Sequence, residues 1–439
     1  MKIKPARRLR GRCNLPGDKS ISHRAALIAA LASGTSHISN FSPSQDCAAT
    51  LSCLQALGVS LERQENRVRV RGKGLHGLVP PALSLDCGNS GTTMRLLAGV
   101  LAAQDFPAIL TGDDSLSRRP MKRIIEPLER MGAQITALSG HAPLQVAGNK
   151  NLNAISYALP VPSAQVKSCV LLAGLHAQGR TEIIERGGLT RDHTERMLQW
   201  FGAPVEIGSN NETEAVTCSV TGPASFAGKD VSVPGDFSAA AFFIAAAALL
   251  ATSEIEIEGV GLNLTRTQFL DTLRALGAQI EIGKKRDESN ESVGDVSVLG
   301  SNLRETLEKD LSLTISGALS AALIDELPLL AVVGSQLPSG LVIRDARELR
   351  NKETDRIAAT AKNLKAMGAA VEEFEDGLRV LGGASLKGAR LASFGDHRIA
   401  MAFSVAALLA DGESDIAGGG CVSVSFPNFF EVLESLAER

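Results

Sequence analysis

The sequence predicts an α/β protein built as two similar halves of three strand-and-helix units each, and three observations carry that expectation. First, an Ala/Leu-rich helical segment recurs six times, at Arg24–Gly34, Met94–Gln104, Lys167–Gly179, Phe237–Ser253, Leu327–Gly340 and Arg398–Gly412. Each follows a short polar turn, and the turns, taken at Gly17, Gly88, Ser163, Gly235, Asp325 and Gly395, step by 71, 75, 72, 90 and 70 residues. A repeat of that length is one supersecondary unit copied along the chain. Second, an amphipathic helix in five units closes on an apolar-Gly step (Leu57-Gly58, Met131-Gly132, Phe201-Gly202, Leu276-Gly277, Met367-Gly368), and Phe429–Arg439 supplies the sixth. Third, β-type runs lie between the helices, at Arg67–Val70, Ile109–Thr111, Ala215–Val220, Ile255–Ile257 and Val342–Arg344.

The recurrent helices are apolar on nearly every face, which predicts that they are buried inside each half. The doubled Pro-Gly-Asp at Pro16–Asp18 and Pro234–Asp236 marks where the chain changes halves. Domains of 17–234 and of 235–439 follow, with a cleft between them as the expected active site. The long step holds Gly283–Asp295, dense in charged and small polar residues, which reads as a solvated loop insertion.

Composition narrows the function. A net charge of −3 gives no reason to expect nucleic acid or an anionic membrane as partner, so any basic site is local. The longest apolar run, Ala239–Ala251, is too short to span a bilayer, and the basic Met1–Arg12 is not followed by a signal-peptide core; a cytoplasmic location is expected. Seven cysteines lie scattered without a Cys-x-x-Cys pair, so they read as small buried hydrophobes, with no disulfide framework and no metal site.

The chemistry is written at the helix starts. Leu15–Arg24, L-P-G-D-K-S-I-S-H-R, places Lys19, Ser20, Ser22 and Arg24 over a first helical turn. Unpaired N–H groups there already attract anions. An N-cap with solvated charges explains this stretch alone; its repetition does not fit that account. The second unit brings Asn89, Ser90, Gly91 and Arg95, the third Ser163, Gln165 and Lys167, and Arg118-Arg119 precede a helix near Pro120. The second half adds Asn351–Arg356 (N-K-E-T-D-R), where Lys352 and Arg356 are expected on one helix face beside Glu353, then Asp325-Glu326 and Asp396-His397-Arg398. No Walker A, Rossmann, Ser-His-Asp or metal-ligand pattern is present in the sequence. The inventory suits a ligand set with several phosphates or carboxylates, processed by acid and base groups without metal or other cofactor.

L-P-G-D-K-S-I-S-H-R, G-N-S-G-T-T-M-R, the R-R-P step, N-K-E-T-D-R and D-H-R-I-A-M, in that order from about Leu15 to Phe430, resemble the EPSP synthase family of enolpyruvyl transferases. The resemblance implies an inside-out α/β barrel in each of two domains, each of three βαβαββ units around buried central helices, with residues 1–16 joined to 235–439. It implies transfer of the enolpyruvyl group of phosphoenolpyruvate to the 5-hydroxyl of shikimate 3-phosphate, releasing phosphate through a tetrahedral ketal. Carried over residue by residue, Lys19, Arg119, Arg356 and Arg398 become the phosphoenolpyruvate clamp. Ser20, Arg24, Ser163, Ala164, Gln165, Asp325 and Lys352 become shikimate 3-phosphate contacts, with Asn89 and Gly91 at the join. Asp325 becomes the base on the 5-hydroxyl, Glu353 the proton donor and acceptor at the methylene, and Lys19 an aid to the leaving phosphate.

The match has departures. Val424 stands where many members have lysine, and Ala164 where others have a second serine, with Lys167 placed to compensate. Thr190–His193 resembles a bacterial branch that includes glyphosate-tolerant members, which makes Arg191 an additional phosphate contact. A monomer acting on small molecules is expected. The related UDP-N-acetylglucosamine enolpyruvyl transferases are the nearest alternative, and the motifs at Lys19 and Lys352 oppose it; a non-catalytic anion binder would gain nothing from Asp325 and Glu353.

Overall fold

The computed structural model describes residues 1–186, 190–210, 215–301, 303 and 313–439. The chain divides into two compact units. A central unit comprises Gly17–Val233 with Asp287–Glu291, and a terminal unit comprises Met1–Pro16, Pro234–Arg286 and Ser292–Arg439.

The central unit is three copies of one motif. Its helices alternate between core and surface: α1 (Lys19–Leu31), α2 (Gln45–Ala56), α3 (Gly91–Ala102), α4 (Lys122–Arg130), α5 (Ala164–Gly174) and α6 (His193–Phe201). The core helices α1, α3 and α5 are buried beyond their first turns, as their apolar faces require. Gly99 lets α3 lie directly against α5, since a Cβ there would strike the Cys169 carbonyl. Each copy carries a four-stranded sheet with one pairing rule. In the second, Leu85–Asp86 runs parallel to Ala108–Thr111, which pairs antiparallel with His141–Val146, and that strand with Ile135–Leu138. The third copy repeats this with Ser156–Ala158, Gly179–Glu185, Ala215–Gly222 and Val205–Asn210. In the first copy the parallel strand comes from far along the chain: Val231–Ser232 pairs with Ser33–Ser39.

The terminal unit repeats the plan with α7 (Phe237–Leu249), α8 (Gln268–Ala275), α9 (Leu327–Gln336), α10 (Arg356–Ala366), α11 (His397–Leu408) and α12 (Phe429–Leu436). Here α7, α9 and α11 form the apolar interior. The parallel strand of its first copy is Arg8–Asn14, which pairs with Glu254–Gly261, so the chain's opening residues belong to this unit. The predicted apolar-Gly steps end the surface helices, with Gly58, Gly132, Gly202, Gly277 and Gly368 all at positive φ.

One expectation fails. Gly283–Asp295 is not a loop insertion; Gln279–Glu288 and Glu291–Leu299 are adjacent strands joined by Ser289-Asn290, with φ of 51° and 65°. Two residues in the left-handed region make the tight turn whose twist suits a hairpin. The first strand turns charged residues to solvent, and that composition hid its pairing.

Candidate functional site

In the central unit the three core helices start close together. Asp18 caps α1, its Oδ1 accepting from Ile21 N at 2.9 Å, and Ser90 and Ser163 cap α3 and α5. Lys19 Nζ lies 2.8 Å from Asp46 Oδ2, on the first turn of α2. The Asp46 carbonyl in turn accepts from Thr93 Oγ1 of α3 at 3.4 Å, which ties the Lys19 end of α1 to the start of α3. At that start, Arg119 donates from Nη1 to the Asn89 carbonyl at 3.1 Å and from Nη2 to Asn89 Oδ1 at 2.7 Å. A Cβ on Gly91 would stand 2.8 Å from Arg95 Nη1 and 3.5 Å from Arg119 Nη1, so glycine leaves room for two guanidinium groups. Arg95 reaches across to Gln165 Oε1 at 2.5 Å, and Gln165 Nε2 donates to Thr92 Oγ1 at 2.9 Å. Lys19, Asn89, Gly91, Arg119 and Gln165 therefore belong to one hydrogen-bonded region of this unit.

Arg24 is buried on α1. It donates from Nε to Thr194 Oγ1 at 2.7 Å, from Nη2 to Ser168 Oγ at 2.9 Å and from Nη1 to the Ser20 carbonyl at 3.0 Å. Burial pushes its guanidinium down to about 10; the Glu195 charge opposes this and Arg191 adds to it, which places Arg191 within electrostatic reach. The neighbouring His23 is fully buried, with Nδ1 2.7 Å from Thr50 Oγ1, and Thr50 Oγ1 is 2.7 Å from Thr93 Oγ1. Burial first, then Lys19 and Arg24, hold this imidazole well below its ordinary range, so it is neutral.

Lys167, expected to compensate for Ala164, is engaged by two carboxylates instead. It is buried and held by Glu185 Oε2 at 2.7 Å and Glu195 Oε1 at 2.6 Å. Burial alone would lower the ammonium, but the two carboxylates outweigh it and leave its pKa raised. A buried charge so paired is committed to structure.

In the terminal unit the polar groups again gather at core-helix starts. Asp236 caps α7 and Asp396 caps α11. Arg356, at the start of α10, is buried and donates from Nε to Asp396 Oδ2 at 2.7 Å and from Nη2 to Glu353 Oε2 at 2.6 Å. Burial by itself would lower its pKa; Asp396, Glu353 and Asp325 reverse that and raise it. Asp325 lies among three arginines, 3.5 Å from Arg356 Nη1, 3.6 Å from Arg398 Nη2 and 3.8 Å from Arg266 Nη1. Arg398 also donates to the Asp325 carbonyl at 3.0 Å and to Ser238 Oγ at 3.1 Å. Asp325, Glu353, Arg356 and Arg398 thus form one ionic cluster.

Lys352 departs from the sequence expectation. It follows a 3-10 turn, Arg347–Asn351, and α10 begins only at Arg356 under an Asp355 cap, so Lys352 and Arg356 share no helix face. Lys352 Nζ instead meets Glu348 Oε1 at 3.1 Å. Asp46, Thr194, Ser168 and Arg266 carry no motif in the sequence and join these clusters only through the fold. Asp46 lies one helix away from Lys19 in a stretch with no motif of its own, and only the tertiary fold brings them together. Val424 ends a short 3-10 turn, Gly419–Val424. Among the described residues no group of three or more His, Cys, Asp or Glu could hold a metal ion, and no helix is long and apolar enough to cross a membrane.

Six related strand-and-helix units, with cations and hydroxyls at the starts of buried helices, define an enolpyruvyl transferase fold. NikO from Streptomyces tendae, an enolpyruvyl transferase, shares it at a TM-score of 0.77 with 19% identity, covering 99% of this chain and 96% of that one. The EPSP synthase of Acinetobacter baumannii matches at a TM-score of 0.84 and 39% identity, covering 99% of this chain and 98% of that one. The family model for EPSP synthase (3-phosphoshikimate 1-carboxyvinyltransferase) matches residues 3–433. Relatives named 3-phosphoshikimate 1-carboxyvinyltransferase from Koribacter versatilis and Solibacter usitatus are 50% and 49% identical, each across 100% of this chain and 99% of the relative. The chain belongs to the EPSP synthase family.

Proposed function

We propose that this chain transfers the enolpyruvyl group of phosphoenolpyruvate to the 5-hydroxyl of shikimate 3-phosphate and releases inorganic phosphate. The observation that supports this best is the placement of Asp325 among Arg266, Arg356 and Arg398, with Glu353 paired to Arg356. A carboxylate flanked by cations is an acceptor for a hydroxyl proton, and the same cations offset the charge of two anionic substrates brought together.

In this reading Asp325 takes the 5-hydroxyl proton as that oxygen attacks C2 of phosphoenolpyruvate, while Glu353 protonates C3. The product is a tetrahedral ketal that still carries the phosphate. Glu353 then removes a proton from the new methyl group, the C–O bond to phosphate breaks, and the enol ether remains. Lys19 assists the leaving phosphate, its pairing with Asp46 holding the ammonium at the start of α1. Arg119, Arg356 and Arg398 bind phosphoenolpyruvate. Ser20, Arg24, Ser163, Ala164, Gln165, Arg191 and Lys352 bind shikimate 3-phosphate, with Asn89 and Gly91 at the join. The enzyme works as a cytoplasmic monomer on soluble phosphate esters.

The test is phosphate release with phosphoenolpyruvate and shikimate 3-phosphate, separately and together. Release only with both is expected. Release with UDP-N-acetylglucosamine as acceptor, or with no acceptor, would sink the assignment. Asp325→Ala is expected to cut kcat by about 100-fold or more, the scale of a general-base contribution, while shikimate 3-phosphate binding changes much less. Full turnover in that variant would show that another group is the base.

A further inference from the structure

Arg24 is a buried cation with unusual partners: each of its hydrogen-bond acceptors is neutral, namely two hydroxyls and one carbonyl. A hydroxyl has one proton to give, and counting those protons fixes the direction of the network. Ser168 Oγ donates to the Ala164 carbonyl at 2.7 Å. In its 2.6 Å contact with Thr194 Oγ1, Ser168 therefore accepts and Thr194 donates. Thr194 in turn accepts from Arg24 Nε, and Ser168 from Arg24 Nη2. The result is a directed chain from Arg24 through Thr194 and Ser168 to the first residue of α5, beside the Ser163 cap and Gln165.

The chain is braced from behind. Lys167 and Glu195 are the sequence neighbours of Ser168 and Thr194, and their 2.6 Å ion pair forms a second rung between α5 and α6. His193, the next residue back, meets Glu291 at 2.7 Å. Of the five N–H groups of Arg24, three are used in these bonds, which leaves one on each terminal nitrogen. That pair matches the two oxygens of a carboxylate or phosphate.

We propose that Thr194 and Ser168 are positioning residues that orient the Arg24 guanidinium for an anionic group of shikimate 3-phosphate and hold it in register with the start of α5. This rests on the reading of Arg24 as a contact to that substrate. Without the hydroxyls, Arg24 keeps its charge but loses the bonds that fix its plane, so acceptor binding weakens while the chemical step is untouched.

The experiment compares the parent enzyme with Thr194→Val, Thr194→Ser and Ser168→Ala. It combines steady-state kinetics, calorimetric binding of shikimate 3-phosphate and a thermal melt. Thr194→Val is expected to raise both KM and Kd for shikimate 3-phosphate by about tenfold or more, the order set by losing a hydrogen bond to a charged group. kcat and the KM for phosphoenolpyruvate are expected to stay within about twofold, and Thr194→Ser to recover the parent values. Unchanged acceptor binding in Thr194→Val overturns the proposal. So does a uniform loss of kcat and both KM values that serine does not rescue, because that marks a merely structural residue. If the parent binds shikimate 3-phosphate without releasing phosphate, the assigned reaction fails while the Kd comparison still decides the positioning role. If the parent does not bind it, both readings fall.

Discussion

His176 offers a direct test of how the central unit responds to acid. It follows α5, is buried, and neither ring nitrogen has a hydrogen-bond partner; its ring meets His76 edge to face at 5.3 Å. Burial, and then the charge of His76, push it down to about 3 from an ordinary 6.5. The native state therefore keeps this imidazole neutral at pH values where the unfolded chain takes up a proton. Stability from this group is fully present above about pH 6.5 and is lost as pH falls toward 3, at up to about 1.4 kcal/mol per pH unit. At pH 5 the loss is about 2 kcal/mol. His176→Leu cannot titrate and removes two unsatisfied polar atoms, so it should be at least as stable as the parent at pH 7.5. On lowering the pH to 5, its advantage should widen by about 2 kcal/mol. Trp200, the only tryptophan, sits on α6 in the same unit, so urea unfolding followed by its fluorescence reads the relevant transition. His23 is also buried and neutral, but it is common to both proteins and cancels. A gap between variant and parent that does not change with pH would refute the reasoning.

Two further outcomes follow from packing. Gly17→Ala would drive a Cβ into the Asn40 carbonyl, a backbone atom that cannot swing aside, and should cost about 3 kcal/mol or more, visible as a lowered melting temperature. Lys167→Met leaves Glu185 and Glu195 buried without their cation and should cost about 3–5 kcal/mol, whereas adding Glu185→Gln and Glu195→Gln should recover most of it in the same melt. Failure of the triple variant to recover would mean that Lys167 contributes packing rather than charge balance.

The repeat was legible because burial writes itself into composition: a helix enclosed on all sides must be apolar all round, and α7 is almost pure Ala, Phe and Ile. The cations at the helix starts were legible for the complementary reason, since polar residues interrupting such a pattern have to be doing something besides packing. The hairpin at 279–299 was not, because strands that face solvent lose the alternation by which strands are recognised. Lys352 misled because four-residue spacing implies a shared face only inside one helix, and Asp355 caps a new helix between the two residues. Thr194 and Ser168 were invisible as site residues: hydroxyls near helix starts are commonplace, and their value comes from meeting Arg24 across 170 and 144 residues of chain.

The strand Arg8–Asn14 has a consequence for how the protein is made. Its partners are Glu254–Gly261 on one side and Ala437–Glu438 on the other, and Leu9 N bonds Ser253 Oγ across 244 residues. During synthesis this strand is made long before Glu254–Gly261 and Ala437–Glu438, while Gly17–Val233, nearly the whole central unit, follows as one continuous stretch and can fold as it emerges. The terminal unit cannot complete this sheet until Glu254–Gly261 and Ala437–Glu438 have been made, so a nascent chain that stops short of them leaves the edges of Arg8–Asn14 unpaired.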